Sequence, residues 1–139
     1  QLKSWMRLIP AVIWMIVIFI SSHQPGEAIE EGVLVWVQTL FPFVRDLNFG
    51  HFIAYFILSF TVYYALGPKW LNWRGKLLSI LICVLYGVTD EFHQMFVPGR
   101  TPDLMDIRND AIGAAIAMLI VSIKPVHRLF VRLAEGKKY

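Results

Sequence analysis

Cysteine and charge are what this 139-residue chain has least of: one Cys and 17% charged residues. Cys83 has no second thiol to pair with, so an internal disulfide is excluded and the redox compartment stays unread. It lies inside LLSILICVLYG, where a packed apolar thiol is the expected state rather than a reactive one. The scarcity of charge, set against 57% hydrophobic residues, excludes an ordinary soluble domain and points to the membrane. A small-x-small cleavage site is missing ahead of Pro25, so the first apolar run reads as a retained helix rather than a signal peptide. No nucleophile signature is present either, so nothing commits the chain to catalysis.

What is present divides into four apolar runs. At this length the chain reads as a single domain, residues 1–139, with room for four bilayer-spanning helices of about 20 residues each. The expected fold class is all-α, a polytopic membrane protein with spans near residues 5–22, 49–66, 75–95 and 107–123. Gly67-Pro68 stops the second span and Lys124-Pro125 closes the fourth. Between the first two, Ile29, Val33, Val37 and Leu40 recur at helical spacing behind Glu27, Glu30 and Glu31, which predicts an amphipathic helix lying in the interface. Trp5, Trp70 and Trp73 fit an aromatic belt on one side.

Charge sets the orientation. Lys3, Arg7, Lys69, Arg74, Lys76, Lys124, Arg128, Arg132, Lys137 and Lys138 share one side, against Arg45, Arg100 and Arg108 on the other. This bias predicts cytoplasmic termini and extracytoplasmic motif-bearing loops. It also assigns the basic tail to anionic inner-leaflet lipid, so the net charge of +3 is no sign of nucleic acid binding.

The stretch from Tyr86 to Gly113 carries Asp90, Glu91, Asp103, Asp106 and Asp110, five of the chain's 10 acids, between two apolar runs. Ionisable groups so placed are costly and mark function by default. Counted from the inner edge of each span, Ser21, His51, Asp90 and Asp110 all rise about 20–22 Å. That predicts one polar layer in the outer leaflet. Within helices, His51 and Tyr55 are four apart, as are Asp90 and Gln94, while Asp106, Asn109 and Gly113 form one stripe. Gly113, Ala114 and Ala117 allow close helix approach, and Pro98-Gly99 turns the chain to present Arg100 to the layer. Plainer readings stand beside these. His51 can bond a loop carbonyl, Tyr55 can be an interfacial aromatic, and Asp106 can be a helix N-cap or an N-terminal anion favoured by the helix dipole. Glu91 with Arg100, and Arg108 with Asp110, can be structural ion pairs, His93 can be solvated, and the layer can be a clasp without a ligand.

The pattern DEFHQMFVPGRTPDLMDIRNDAIG, with HFIAYFIL ahead of it and SSHQP after the first helix, resembles the VanZ-like family of small bacterial membrane proteins. The resemblance spans nearly the whole chain and marks Ser22, Pro25, His51, Tyr55, Asp90, Glu91, Gln94, Pro98, Gly99, Arg100, Asp106, Asn109 and Gly113. It implies a multi-pass protein of the bacterial cytoplasmic membrane. The family takes its name from a protein associated with resistance to the glycopeptide teicoplanin, so a role in antibiotic resistance is implied as well. One departure is Asn48, where the family often has a lysine; Arg45 or Arg100 is left to supply a positive charge.

Three mechanisms follow. The first is an outer-leaflet pocket formed by Ser22, His51, Tyr55, Asp90, Glu91, Gln94, Arg100, Asp106 and Asn109 that binds or processes a membrane lipid or lipid-linked cell-envelope precursor. Its acids repel a phosphate unless they are protonated, bridged by a divalent cation, or met by an amine on the ligand. The second is a non-enzymatic regulatory protein with a membrane protein partner. The third is a small transporter or ion relay, disfavoured because the inner halves of the spans offer almost no polar residues.

Overall fold

The computed structural model describes residues 4–24, 39 and 48–136, and every regular element among them is helical. A 3-10 turn, Ser4–Leu8, leads into α1, Ile9–Ser22. Pro10 sits in the first turn of α1, where its missing N–H deprives no helical carbonyl of a partner. α2, Asn48–Leu66, ends at Gly67, whose φ of 80° is open to glycine at little cost. A Cβ there would also lie 3.0 Å from the Arg7 guanidinium. After a short 3-10 turn, Pro68–Trp70, comes α3, Trp73–Gln94. The Asn72 side chain caps it, accepting hydrogen bonds from the backbone N–H groups of Arg74 at 2.9 Å and Gly75 at 3.2 Å. α4, Leu104–Val121, is capped by Asp103, which accepts from Met105 N–H at 2.8 Å. α5 is Lys124–Glu135. The caps explain why α3 and α4 begin two or three residues ahead of the expected spans.

Two stretches, Ser4–Ser22 and Phe49–Leu66, are each long and apolar enough to cross a membrane. A third candidate is the pair Leu104–Val121 and Lys124–Glu135, bent by 91°. α3 has the length, at about 33 Å for 22 residues. Arg74 and Lys76 at one end, with Asp90 and Glu91 at the other, dilute its apolarity. The expected interfacial helix between the first two spans, together with Pro25 and Arg45, lies outside the described residues.

The bundle closes around α2 and α4. Gly113 faces α2 so closely that a Cβ would run into the carbonyl oxygen of Phe52. Ser59 Oγ donates to the Ala114 carbonyl at 3.3 Å one residue further on. Small residues thus bring two helices into backbone contact, as the Gly113, Ala114 and Ala117 spacing predicts. α1 is tied on by Trp14 Nε1, which donates to Ala54 O at 2.8 Å, and by Met15 O, which accepts from the Tyr86 hydroxyl at 2.6 Å.

The chain does not trail off after α4. Lys124-Pro125 stops one helix but starts another, because proline in the first turn is already set for helical φ. α5 turns sideways and packs Val126, Phe130 and Ala134 against Tyr63, Leu71 and Met118. Arg7 Nη1 donates to Ala134 O at 3.4 Å, joining the first and last elements. Lys124 and Arg128 stay exposed on the outer face.

Candidate functional site

All four long helices send polar side chains to one end of the bundle. α2 places His51 one turn before Tyr55, with the two rings stacked at 6.4 Å between centroids. α3 contributes Asp90, Glu91 and Gln94 from its last turn, all buried. α4 contributes Asp106, Asn109 and Asp110 from its first two turns, also buried. α1 ends there with Ser22, whose Oγ donates to Asp90 Oδ2 at 2.8 Å. Gln94 Nε2 donates to the same oxygen at 3.3 Å, so Asp90 is held from two helices.

His51 sits between two carboxylates of α4. Its Nδ1 is 3.0 Å from Asp110 Oδ1, and its Nε2 is 3.7 Å from Asp106 Oδ2. Asp110 is completely buried, and room for it comes from α3: a Cβ on Gly87 would lie 2.5 Å from Asp110 Oδ2. Sequence reasoning left Asp110 out of the site, although its place four residues after Asp106 sets both on one helical face. Glu91 Oε2 accepts from the backbone N–H of Asp103 at 2.8 Å, which fastens α3 to the start of α4.

Several oxygens in this cluster have no hydrogen-bond partner among the described residues. They are Tyr55 OH, Glu91 Oε1, Asp106 Oδ1 and Asp110 Oδ2. Buried polar atoms normally find partners; Arg7 Nε, Tyr63 OH, His93 Nδ1 and His127 Nδ1 also lack them, but among the described residues the unpartnered carboxylate oxygens all fall in this cluster. His51, Glu91 and Asp106 each offer one ligand atom within 4.8 Å of the others, the one such trio among the described residues.

The structure decides four of the plainer readings. Arg108 pairs with Asn109 rather than Asp110, its Nη2 donating to Asn109 Oδ1 at 3.0 Å. Residues two apart on a helix point to different sides, so Arg108 is exposed while Asp110 is buried. Arg100 forms no ion pair with Glu91; its Nε donates to Gln24 O at 3.4 Å, at the rim of the cluster. The N-cap of α4 is Asp103, while Asp106 stands in the first turn, where the helix dipole favours an anion, and faces His51. His93 is not simply solvated, for it stacks on Phe19 at 4.3 Å and meets His23 Nδ1 through Nε2 at 3.1 Å. Ser22, His51, Tyr55, Asp90, Glu91, Gln94, Asp106 and Asn109 come together in the cluster, and Arg100 stands at its edge.

Residues 7–125 match the VanZ-LLP1 family model, described as VanZ/LLP1. The chain belongs to this family. The matched span contains every member of the VanZ/LLP1 cluster described above and omits most of α5. An uncharacterized protein of the fission yeast Schizosaccharomyces pombe is 34% identical over 71 residues. That match covers 50% of this VanZ/LLP1 chain and 43% of the yeast protein, so the likeness takes in less than half of that relative. No solved structure matches.

Beside the cluster, α2 and α4 form an open apolar groove of about 360 Å³ lined by Phe49, Phe52, Ile53, Phe56, Gly113 and Ile116. Phe52 follows His51 directly and Gly113 lies one turn beyond Asn109, so groove and cluster share the same two helices.

Proposed function

We propose that the chain is a four-span protein of the bacterial cytoplasmic membrane whose polar cluster binds the headgroup of a lipid or lipid-linked envelope molecule. The cluster lies near the outer face, and both termini lie in the cytoplasm. α1 to α4 are the spans. α3 joins them despite its charges because its outward face, Leu77, Leu81, Leu85, Val88 and Phe92, is exposed and apolar while Asp90 and Glu91 turn inward. α5 lies along the inner surface, with Lys124 and Arg128 toward anionic headgroups.

The observation that carries this reading is the pairing of unsatisfied buried polar oxygens with an apolar groove on the same helix pair. A lipid-like ligand has that same division into polar head and apolar chain, and neither part of the site is completed by the described protein atoms. Arg100 at the rim supplies a guanidinium for phosphate oxygens. The reading is a binding one and assigns no reaction.

Native mass spectrometry of the detergent-purified chain tests it. Wild type is expected to carry lipid, and Arg100→Ala to lose most of it. Equal lipid retention in that variant would remove the headgroup role. The teicoplanin link extends the proposal to the case where the ligand is a lipid-linked wall precursor. Expression in a susceptible Gram-positive host is then expected to raise the inhibitory concentration, and Arg100→Ala to abolish the rise.

A further inference from the structure

We propose that His51, Glu91 and Asp106 bind a divalent metal ion, with Asp110 holding the imidazole in the ligating orientation. This deepens the headgroup reading above, on which its biological role rests: a dication turns an acidic cluster that repels phosphate into one that accepts it.

The two ring nitrogens of His51 face different carboxylates. Nδ1 is 3.0 Å from Asp110 Oδ1, a hydrogen bond that puts the proton on Nδ1 and leaves the Nε2 lone pair free. A carboxylate behind the histidine in this way is the usual outer partner of a metal-bound imidazole. Nε2 then faces Asp106 Oδ2 at 3.7 Å, beyond hydrogen-bond length. Two ligand atoms about 2.1 Å from one ion at a tetrahedral angle lie about 3.4 Å apart, so this separation needs only a few tenths of an ångström of closure. Glu91 completes the trio within 4.8 Å.

The orphaned atoms point the same way. Glu91 is 5% exposed and Asp106 9% exposed, yet Glu91 Oε1 and Asp106 Oδ1 lack partners among the described residues. An ion held by Glu91 Oε1 and by both oxygens of Asp106 gives each orphan a partner, and the two carboxylate charges balance a dication where unpaired ions are costly. One imidazole with two carboxylates suits Zn²⁺ or Mn²⁺ better than Mg²⁺ or Ca²⁺, which favour all-oxygen sets. The competing arrangement is an imidazolium bridging Asp106 and Asp110 with no metal.

The purified full chain, stripped with chelator and dialysed against Zn²⁺ or Mn²⁺, is to be analysed for bound metal by mass spectrometry. One ion per chain is expected. Asp106→Asn and Glu91→Gln are each expected to lose at least ten-fold in affinity, and Asp110→Asn ten- to 100-fold. Circular dichroism and a monodisperse elution establish that each variant is folded. X-ray absorption on wild type alone provides a second readout that needs no variant, with imidazole expected in the first shell. Failure to retain an ion, an all-oxygen shell, or folded variants that load like wild type would each overturn the inference. Lipid is measured in both stripped and loaded protein. Lipid in the stripped protein with no ion taken up sinks the metal site and leaves the headgroup reading standing. Metal binding without lipid does the reverse.

Discussion

Replacing Gly113 by alanine sets two effects of known size against each other. In an ordinary helix interior alanine is favoured over glycine by about 1 kcal/mol. At Gly113 the new Cβ would collide with the Phe52 carbonyl oxygen, which belongs to helix backbone and cannot rotate aside. α2 and α4 must therefore separate, and overpacking of that kind costs about 1–3 kcal/mol. The separation also stretches the Ser59 Oγ bond to Ala114 O, already 3.3 Å, at a further cost of about 1 kcal/mol. The propensity gain offsets the lost hydrogen bond, leaving a net destabilisation of about 1–3 kcal/mol. Gly50→Ala supplies the control, because a Cβ there meets nothing within 4 Å. It is expected to be neutral or to stabilise by up to about 1 kcal/mol. Unfolding of detergent-solubilised protein by SDS, followed by tryptophan fluorescence, measures both. If Gly113→Ala proves as stable as Gly50→Ala, the close α2–α4 contact is refuted.

Three further outcomes are expected. Tyr55→Phe removes a buried hydroxyl that lacks a partner among the described residues, so the ligand-free protein should lose no stability in the same assay; a loss above about 1 kcal/mol would show that the hydroxyl is bonded. Ser22→Ala deletes the 2.8 Å bond to Asp90 and should cost about 1–3 kcal/mol, with no change pointing to water in its place. Removing the two exposed charges by Lys124→Gln with Arg128→Gln should lower the preference of the nanodisc-reconstituted protein for anionic over neutral contacting lipid, by up to about five-fold per charge. An unchanged preference would mean that α5 does not meet lipid through its basic side.

The apolar runs and their stops were legible because hydropathy and Gly-Pro punctuation act locally. The convergence of His51, Asp90 and Asp110 was legible too, since helical rise converts residue number into height, whereas Ser21, counted to the same height, is exposed and bonds Val17 O on its own helix, and Ser22 makes the contact to Asp90 instead. Partner choice was not. Arg108 is near Asp110 in sequence and opposite in sign, but the 3.6-residue turn sends the two side chains apart, and His51, 59 residues distant, takes the carboxylate instead. Asp103 looked like one acid among several until the backbone showed which residue caps α4. Lys124-Pro125 read as an ending because proline halts a helix on one side and launches one on the other, and only packing against Tyr63 and Met118 decides that a new helix follows.

The meeting of His51 with Asp106 and Asp110 carries a consequence for biogenesis. α4 emerges from the ribosome with two acids on the stripe that must leave water, and no cation of its own points along that stripe. Its natural acceptor was synthesised 59 residues earlier, on α2. Under the four-span reading proposed above, the second helix stays beside the insertion machinery, or returns to it, before the fourth is released into lipid.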